Sequence, residues 1–150
     1  MPAISILGVP HDDNSSFLKG PAEAPPLIRA ELNSDAYSVW SETGIHLGAA
    51  GQLVDHGDIR FDATGDPWEL IERTVARIAA SSEPLICLGG DHAVTHPILR
   101  GMRKQYPKLT ILHIDAHPDI YHAYHDNPRS HASPFARIME EKLCDRLVQV

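Results

Sequence analysis

Residues 109–127 (LTILHIDAHPDIYHAYHDN) are dense in side chains that bind metal ions or move protons. The segment begins as an apolar strand and contains four histidines and three aspartates. In an extended chain, residues two apart point to the same side and lie about 6.6 Å apart, so Asp115 and His117 should face one way where the strand ends. Asp119 can fold back to the same point. Mixed imidazole and carboxylate ligands suit Mn, Zn, Fe or Co, whereas a structural zinc site is rich in thiolates. This pattern predicts two adjacent divalent ions, with manganese as the first choice.

A second polar cluster, GGDH at 89–92, ends the preceding apolar run. Its two glycines suit a tight turn from strand to helix, and Asp91 suits the N-cap of a helix that begins at residue 93. That capping role is compatible with His92 being a metal ligand. Asp115 by itself also suits a helix cap. Two such clusters after consecutive strands nevertheless indicate one site, because ligands of parallel sheets bind at the carboxyl ends of the strands.

Apolar strands alternate with helices along the chain, which predicts an α/β fold built from βαβ units, with a mainly parallel sheet covered on both faces. The strongest helix signal is 66–82, where Asp66 and Pro67 mark the start and apolar side chains recur on one face. The other predicted helices are 24–33, 93–106 and 134–143. Strands are predicted at 3–9, 83–90, 109–115 and 145–150, with one or two short strands inside 45–59 that break at Gly51.

Composition excludes several classes of function. A net charge of −7 without any large Lys/Arg cluster argues against a nucleic-acid partner. The sequence contains neither a long apolar span nor a secretory signal, so no membrane partner is expected. Cys87 and Cys144 lack C-x-x-C spacing and are expected to be buried free thiols in the cytoplasm. The chain length of 150 residues suits one domain.

The motifs GGDHAVTHP (89–97), HIDAHPD (113–119) and SHASPF (130–135) resemble those of the ureohydrolases, the arginase and agmatinase family of binuclear manganese enzymes. The segments GVPHDD, SSFLKGPAEAPPLIRAEL and DHGDI are also similar to the N-terminal half of that family. The resemblance covers nearly the whole chain. It implies a three-layer α/β sandwich with a mainly parallel sheet, in agreement with the alternation of strands and helices.

The resemblance also implies roles for individual residues. His92 and His117 match histidine ligands of the two Mn²⁺ ions, and Asp115 and Asp119 match carboxylates with bridging or shared roles. In this family a hydroxide between the ions attacks the guanidinium carbon, and the aspartate matching Asp119 relays a proton to the leaving amine. His131 is similar to the histidine that shuttles protons at the pocket mouth, although a surface loop histidine is the alternative.

The other histidines of the segment are less defined. His113 is either an orienting partner of a metal-binding carboxylate or a hydrogen-bonded core histidine. His122 and His125 are expected in a solvated loop.

The expected substrate is a guanidino compound, and the excess of carboxylates would offset the charge of the metal ions beside a cation. Arginases that recognise an α-amino acid head group carry Asn two residues after the aspartate matching Asp119, whereas Tyr121 occupies that place here. This difference favours agmatine, hydrolysed to putrescine and urea. Arginase, guanidinobutyrase, guanidinopropionase, formimidoylglutamase or a non-catalytic metal-binding fragment are the alternatives. The substrate-binding residues are not identified.

The family carries two further metal-binding aspartates in an Asp-x-Asp motif, which does not occur in this sequence. Residues 1–150 are therefore expected to be the N-terminal half of a single ureohydrolase domain and to be inactive alone. The full-length protein is expected to be a cytoplasmic homo-oligomer.

Overall fold

The computed structural model describes residues 3–49 and 51–150. Its helices and strands alternate as the sequence predicts. The strands are β1 (Ile4–Val9), β2 (Leu53–Asp58), β3 (Leu85–Gly89), β4 (Thr110–His113) and β5 (Arg146–Gln149). The helices are α1 (Ala24–Leu32), α2 (Pro67–Ala79), α3 (Thr95–Gln105) and α4 (Pro134–Glu140), with 3-10 turns at Pro21–Glu23 and His92–Val94. Within 45–59 only β2 forms in the described part, and residue 50 lies outside the described residues.

Three strands form a parallel sheet in the order β2-β1-β3. Successive side chains of β1 point to opposite faces of the sheet. Leu7 and Val9 enter a buried core with α2, while Ile6 faces a cleft that α1 lines through Arg29 and Leu32. Helices therefore cover both faces of this sheet, which is the layering that the sequence predicts.

The start and the buried face of α2 follow from its sequence. Asp66 is the N-cap, and its side chain accepts a hydrogen bond from the Trp68 backbone N–H at 2.8 Å. Pro67 occupies the first turn, where its missing N–H costs nothing. Ile71 and Val75 are fully buried on the face that packs against β1.

β4 and β5 form a separate two-stranded parallel sheet within the described residues. One face packs on α4 through Ile111 and Leu147. The other face is open, since Leu112 is 62% exposed, and Ile114, just beyond β4, is 76% exposed. Among the described residues this part of the sheet is therefore covered on one face only. Apolar runs indicate a preference for burial, but they do not show which segment supplies the cover.

Two further expectations can be compared with the structure. Both cysteines are free and only partly buried, and burial raises the pKa of the Cys87 thiol to about 12. Cys87 is therefore a thiol rather than a thiolate at neutral pH.

Among the helices in the described ranges, none has the length and apolar character that a membrane crossing requires.

Candidate metal centre

His92 sits in the tight turn that follows β3. Asp91 caps this turn, because its Oδ1 accepts the Ala93 N–H at 3.0 Å. The capping role predicted for Asp91 is confirmed, although the cap begins a short 3-10 turn rather than α3 itself. With the backbone fixed in this way, the side chain of His92 projects into the cavity beyond the strand ends.

Gly90 is required by the close approach of the loop that follows β1. The Asp91 N–H donates to the His11 carbonyl oxygen at 2.9 Å, which brings the two backbones together. A Cβ atom on Gly90 would lie only 2.0 Å from that oxygen. The second glycine of the GGDH motif therefore sets the position of His92.

The DAHPD segment turns immediately after β4 instead of continuing as a strand. The Oδ1 atom of Asp115 accepts the His117 N–H at 2.9 Å, and Asp119 has a left-handed φ of 48°. The expected extended geometry of Asp115 and His117 is thus wrong. The turn brings Asp115 Oδ1 within 3.8 Å of His117 Nδ1.

Four predicted ligands border one open cavity of about 670 Å³. The Nδ1 atom of His92 lies 2.5 Å from Asp119 Oδ2 and 4.0 Å from Asp115 Oδ2. His117 is the outermost member, with a side chain that is 79% exposed. The structure brings His92, Asp115, His117 and Asp119 together, and their roles as metal ligands stay a prediction.

His113 adds a fifth polar group below these four side chains. It is buried, with its ring centroid 4.2 Å from that of Phe135 and 5.2 Å from that of His92. Ligand-type atoms of His92, His113 and Asp115 all lie within 4.8 Å of one another. Sequence reasoning left the role of His113 open.

His131 lines the same cavity from the loop before α4. Its Nδ1 atom lies 3.1 Å from the Asn14 carbonyl oxygen, which can only accept, so Nδ1 carries the proton in this contact. Nε2 lies 3.5 Å from the Ser16 hydroxyl oxygen. The ring is partly buried and held by the β1 loop, so it differs from a freely solvated loop histidine.

The carboxylates near the cavity differ in their electrostatic environment. The pKa of Asp115 is lowered, chiefly because the His117 N–H stabilises its charged form and despite a smaller opposing effect of burial. The pKa of Asp91 is raised, because burial outweighs the hydrogen bonds from Ala93 and Asn14. Asp115 is therefore ionised at neutral pH and able to bind a cation, whereas Asp91 accepts hydrogen bonds from backbone N–H groups.

The β1 loop also contributes to the site, through Asn14. The Oδ2 atom of Asp91 accepts the Asn14 N–H at 2.9 Å, and the Asn14 side chain accepts from Asn127 Nδ2 at 2.9 Å. Asn14 thereby links the His92 turn to the loop of His131. Its position among turn-forming residues gives no sequence signal for such a long-range contact.

The DHGD cluster lies apart from this site. It belongs to β2, where Asp55 and Asp58 pair with Arg29 of α1 and the Gly57 carbonyl accepts from the same guanidinium. Burial lowers the pKa of Arg29, but the hydrogen bonds from Arg29 to Asp58 and Asp55 outweigh this effect and raise it. DHGD therefore attaches α1 to the sheet.

The side chains around the cavity fit divalent manganese. Carboxylate and imidazole donors are the ligand types that Mn²⁺ accepts, and no thiol lines this cavity among the described residues. The two carboxylates would neutralise half of the charge of a pair of dications.

Comparison with known proteins places the chain in one family. The model of the arginase family matches residues 2–150. The mitochondrial arginase 1 of Arabidopsis thaliana is 41% identical over 155 residues, covering 97% of this chain and 45% of the relative. The agmatinase of Halalkalibacterium halodurans is 36% identical over 136 residues, covering 88% and 46%. This chain thus spans about half the length of these relatives.

Solved structures give the same result for the fold. The arginase from Medicago truncatula superposes with a TM-score of 0.85 at 36% identity, covering 99% of this chain and 50% of that one. A formiminoglutamase from Trypanosoma cruzi, described with Mn²⁺, superposes with a TM-score of 0.84 at 24% identity over 99% and 51%. The α/β fold expected from the sequence is confirmed by these matches. The chain belongs to the arginase family of ureohydrolases.

Proposed function

We propose that the whole protein hydrolyses a guanidino compound and releases urea at a site that holds two Mn²⁺ ions. The observation that carries this proposal is the meeting of His92, Asp115, His117 and Asp119 around one cavity. In a chain of this family, that cavity combines the donors that a dication needs with space for a small substrate. Residues 1–150 form the N-terminal half of the domain in this proposal, which their coverage of 45% of the Arabidopsis relative supports.

His92 would hold one ion and His117 the other, with Asp115 and Asp119 shared between them. The Asp-x-Asp pair that the family uses would come from outside these 150 residues. When bound, the ions would lower the pKa of a bound water from 15.7 to about 7 and supply the nucleophile that a resonance-stabilised guanidinium requires.

Two residues of this chain would handle protons. Asp119 Oδ2 points into the cavity and lies beside His92, so it is placed to take a proton and deliver it to the leaving amine. His131 keeps a proton on Nδ1 through the Asn14 carbonyl, which leaves Nε2 as the atom that exchanges protons with the cavity. The negative charge of the carboxylates would also allow a cationic substrate to bind beside the metal ions.

Arginine and agmatine are the two candidate substrates. The sequence favoured agmatine because Tyr121 stands in place of Asn. Tyr121 lines the cavity with 60% exposure, and its hydroxyl is itself a hydrogen-bond donor, so this position still offers a partner for an α-carboxylate. Greater identity to the Arabidopsis arginase than to the agmatinase makes arginine our first choice.

The substrate test uses the purified complete protein loaded with Mn²⁺. Arginine, agmatine, guanidinobutyrate, guanidinopropionate and formimidoylglutamate are supplied separately, and release of urea or formamide is measured. We expect urea from arginine at the highest kcat/KM. Urea from agmatine alone would restore the interpretation based on Tyr121, and no product from any compound would favour a non-catalytic metal-binding protein.

Assembly and location are parts of the same proposal. We expect a homo-oligomer, which light scattering of the complete protein measures directly. We also expect the protein in the cytoplasm, although the Arabidopsis relative is named as mitochondrial. Cell fractionation decides between these compartments.

A further inference from the structure

His113 and Gln149 face each other across the smaller sheet. They are register partners in the parallel pair β4-β5, so their side chains lie on the same face. The His113 ring is buried against Phe135, and its Nδ1 atom lies 3.0 Å from Gln149 Nε2. The protonated nitrogen of His113 can be deduced from this contact.

The orientation of the Gln149 amide is set by a second neighbour. Gln149 Nε2 lies 2.7 Å from the Pro118 carbonyl oxygen, which can only accept a hydrogen bond. The amide nitrogen, rather than the amide oxygen, must therefore face Pro118. That same nitrogen also faces His113 Nδ1. One of its hydrogens is therefore donated to the Pro118 carbonyl oxygen and the other to His113 Nδ1, which must accept with its lone pair.

A neutral histidine that accepts at Nδ1 carries its proton on Nε2. His113 Nε2 is buried, has no hydrogen-bond partner in the described part of the chain, and lies 3.6 Å from Asp115 Oδ2. The other oxygen of Asp115 already accepts the His117 N–H. A small rotation of the carboxylate would bring Oδ2 within hydrogen-bond distance of the Nε2–H group.

We propose that Gln149 and His113 are positioning residues for Asp115. Gln149 holds the proton of His113 on Nε2, and this N–H group donates to Asp115 Oδ2 and fixes the carboxylate. His113 is consequently not a metal ligand, although it lies among ligand-type atoms, because its Nε2 carries a proton and its Nδ1 lone pair is occupied. The effect on metal binding rests on the proposed function, whereas the hydrogen-bond arrangement does not.

The first test measures the protonated nitrogen directly. Side-chain ¹⁵N NMR of the complete protein, with the His113 signals assigned from the His113→Gln variant, should show the Nε2–H tautomer in the wild type. Gln149→Leu removes the donor to Nδ1 and should yield a mixture of both tautomers. Gln149 is exposed among the described residues, and the wild-type tautomer decides the proposal even if this variant folds poorly. A wild-type signal from an Nδ1–H tautomer would overturn the proposal.

The second test measures Mn²⁺ affinity by electron paramagnetic resonance of the free ion. His113→Leu should weaken binding by about 10-fold or more, as expected when the partner of a metal ligand is lost. His113→Gln, which keeps an N–H donor, should recover most of the affinity. His122→Leu is the matched control, because His122 lies on the adjacent loop with a side chain that is 88% exposed.

The outcomes separate the two proposals. Equal weakening by His113→Leu and His113→Gln would show that packing, rather than the donor, matters, and would refute the positioning role. A wild-type protein that binds no Mn²⁺ would refute the proposed function, while the tautomer measurement would still decide the hydrogen-bond arrangement.

Discussion

The Nδ1 atom of His92 lies 2.5 Å from Oδ2 of Asp119, although the two residues are 27 positions apart in the chain. One residue comes from the turn after β3 and the other from the loop after β4. No hydrogen bonds join β3 to β4 among residues 3–49 and 51–150, and Phe135 of α4 instead contacts both residues, since its N–H donates to the Asp119 carbonyl oxygen at 3.1 Å and its ring lies 5.7 Å from that of His92. The contact between His92 and Asp119 joins the GGDH motif and the DAHPD motif in one site.

Substitution of Asp119 should abolish most of the catalysis without disturbing the fold. Asp119→Asn removes a negative charge and a proton carrier, and we expect kcat for urea release to fall by about 100-fold or more. Asparagine tolerates the left-handed backbone that residue 119 adopts, so the circular dichroism spectrum and Tm should change little. Asp126→Asn is the control, because Asp126 is exposed and also has a positive φ. Near-normal turnover of Asp119→Asn would refute the role of Asp119 in proton transfer.

Removal of one hydroxyl group tests how the cavity recognises an amino acid head group. If the Tyr121 hydroxyl donates to the α-carboxylate of arginine, Tyr121→Phe should lower kcat/KM for arginine by about 10-fold, the cost of one hydrogen bond to a charged group. The kcat/KM for agmatine, which lacks that carboxylate, should remain within about 2-fold of the wild-type value. Parallel losses for both substrates would show that the Tyr121 hydroxyl does not act through the α-carboxylate.

Gly90→Ala should destabilise the turn that holds His92. The added Cβ would meet the His11 carbonyl oxygen at 2.0 Å, so the backbone of one segment must shift. We expect the free energy of unfolding to fall by about 2 kcal/mol or more, together with weaker Mn²⁺ binding. Gly65→Ala provides the comparison, because its Cβ would meet only the Asp62 side chain, at 3.2 Å. Denaturant titration of both variants measures the difference, and equal stabilities would contradict the steric argument.

Asp145 should contribute stability that disappears in acid. Its carboxylate accepts the Leu109 N–H at 2.9 Å and pairs with Arg103, and these contacts lower its pKa from 3.8 in the folded state. A lowered folded pKa means that the contribution is present above the unfolded pKa and is lost as the pH falls through the folded value. Asp145→Asn should therefore lower Tm at pH 7 but not in strong acid, where the wild-type carboxyl is protonated as well. Scanning calorimetry across this pH range, with Asp35→Asn as an exposed control, would refute the linkage if the Tm difference did not depend on pH.

Local sequence signals predicted the secondary structure well. Asp66 and Pro67 begin α2 as expected, and the apolar face of α2 is buried where its periodicity places it. The cap at Asp91 was also predictable from the sequence, because a short polar side chain after two glycines has few other roles. These features depend on interactions within a few residues of the chain, and sequence reasoning captures such interactions reliably.

Contacts between residues far apart in the chain could not be predicted from local sequence in the same way. The approach of His11 to Gly90 and the use of Asp55 and Asp58 by Arg29 depend on how strands and helices meet. The tautomer of His113 depends on a β5 residue that lies 36 positions later. The turn at Asp115 was missed because alternation along a strand was extended past the end of β4. Such contacts carry no periodic signal, and only the three-dimensional arrangement reveals them.

Urea release as a function of added Mn²⁺ tests the central claim most directly. The complete protein is stripped of metal with a chelator, Mn²⁺ is added back in known amounts, and urea from arginine and agmatine is measured at each step. Our account predicts no urea without metal and a rate that rises with Mn²⁺ until about two ions are bound per chain. Undiminished urea release from the stripped protein, or none at saturating Mn²⁺, would contradict the assignment of this cavity as a two-metal guanidine hydrolase site.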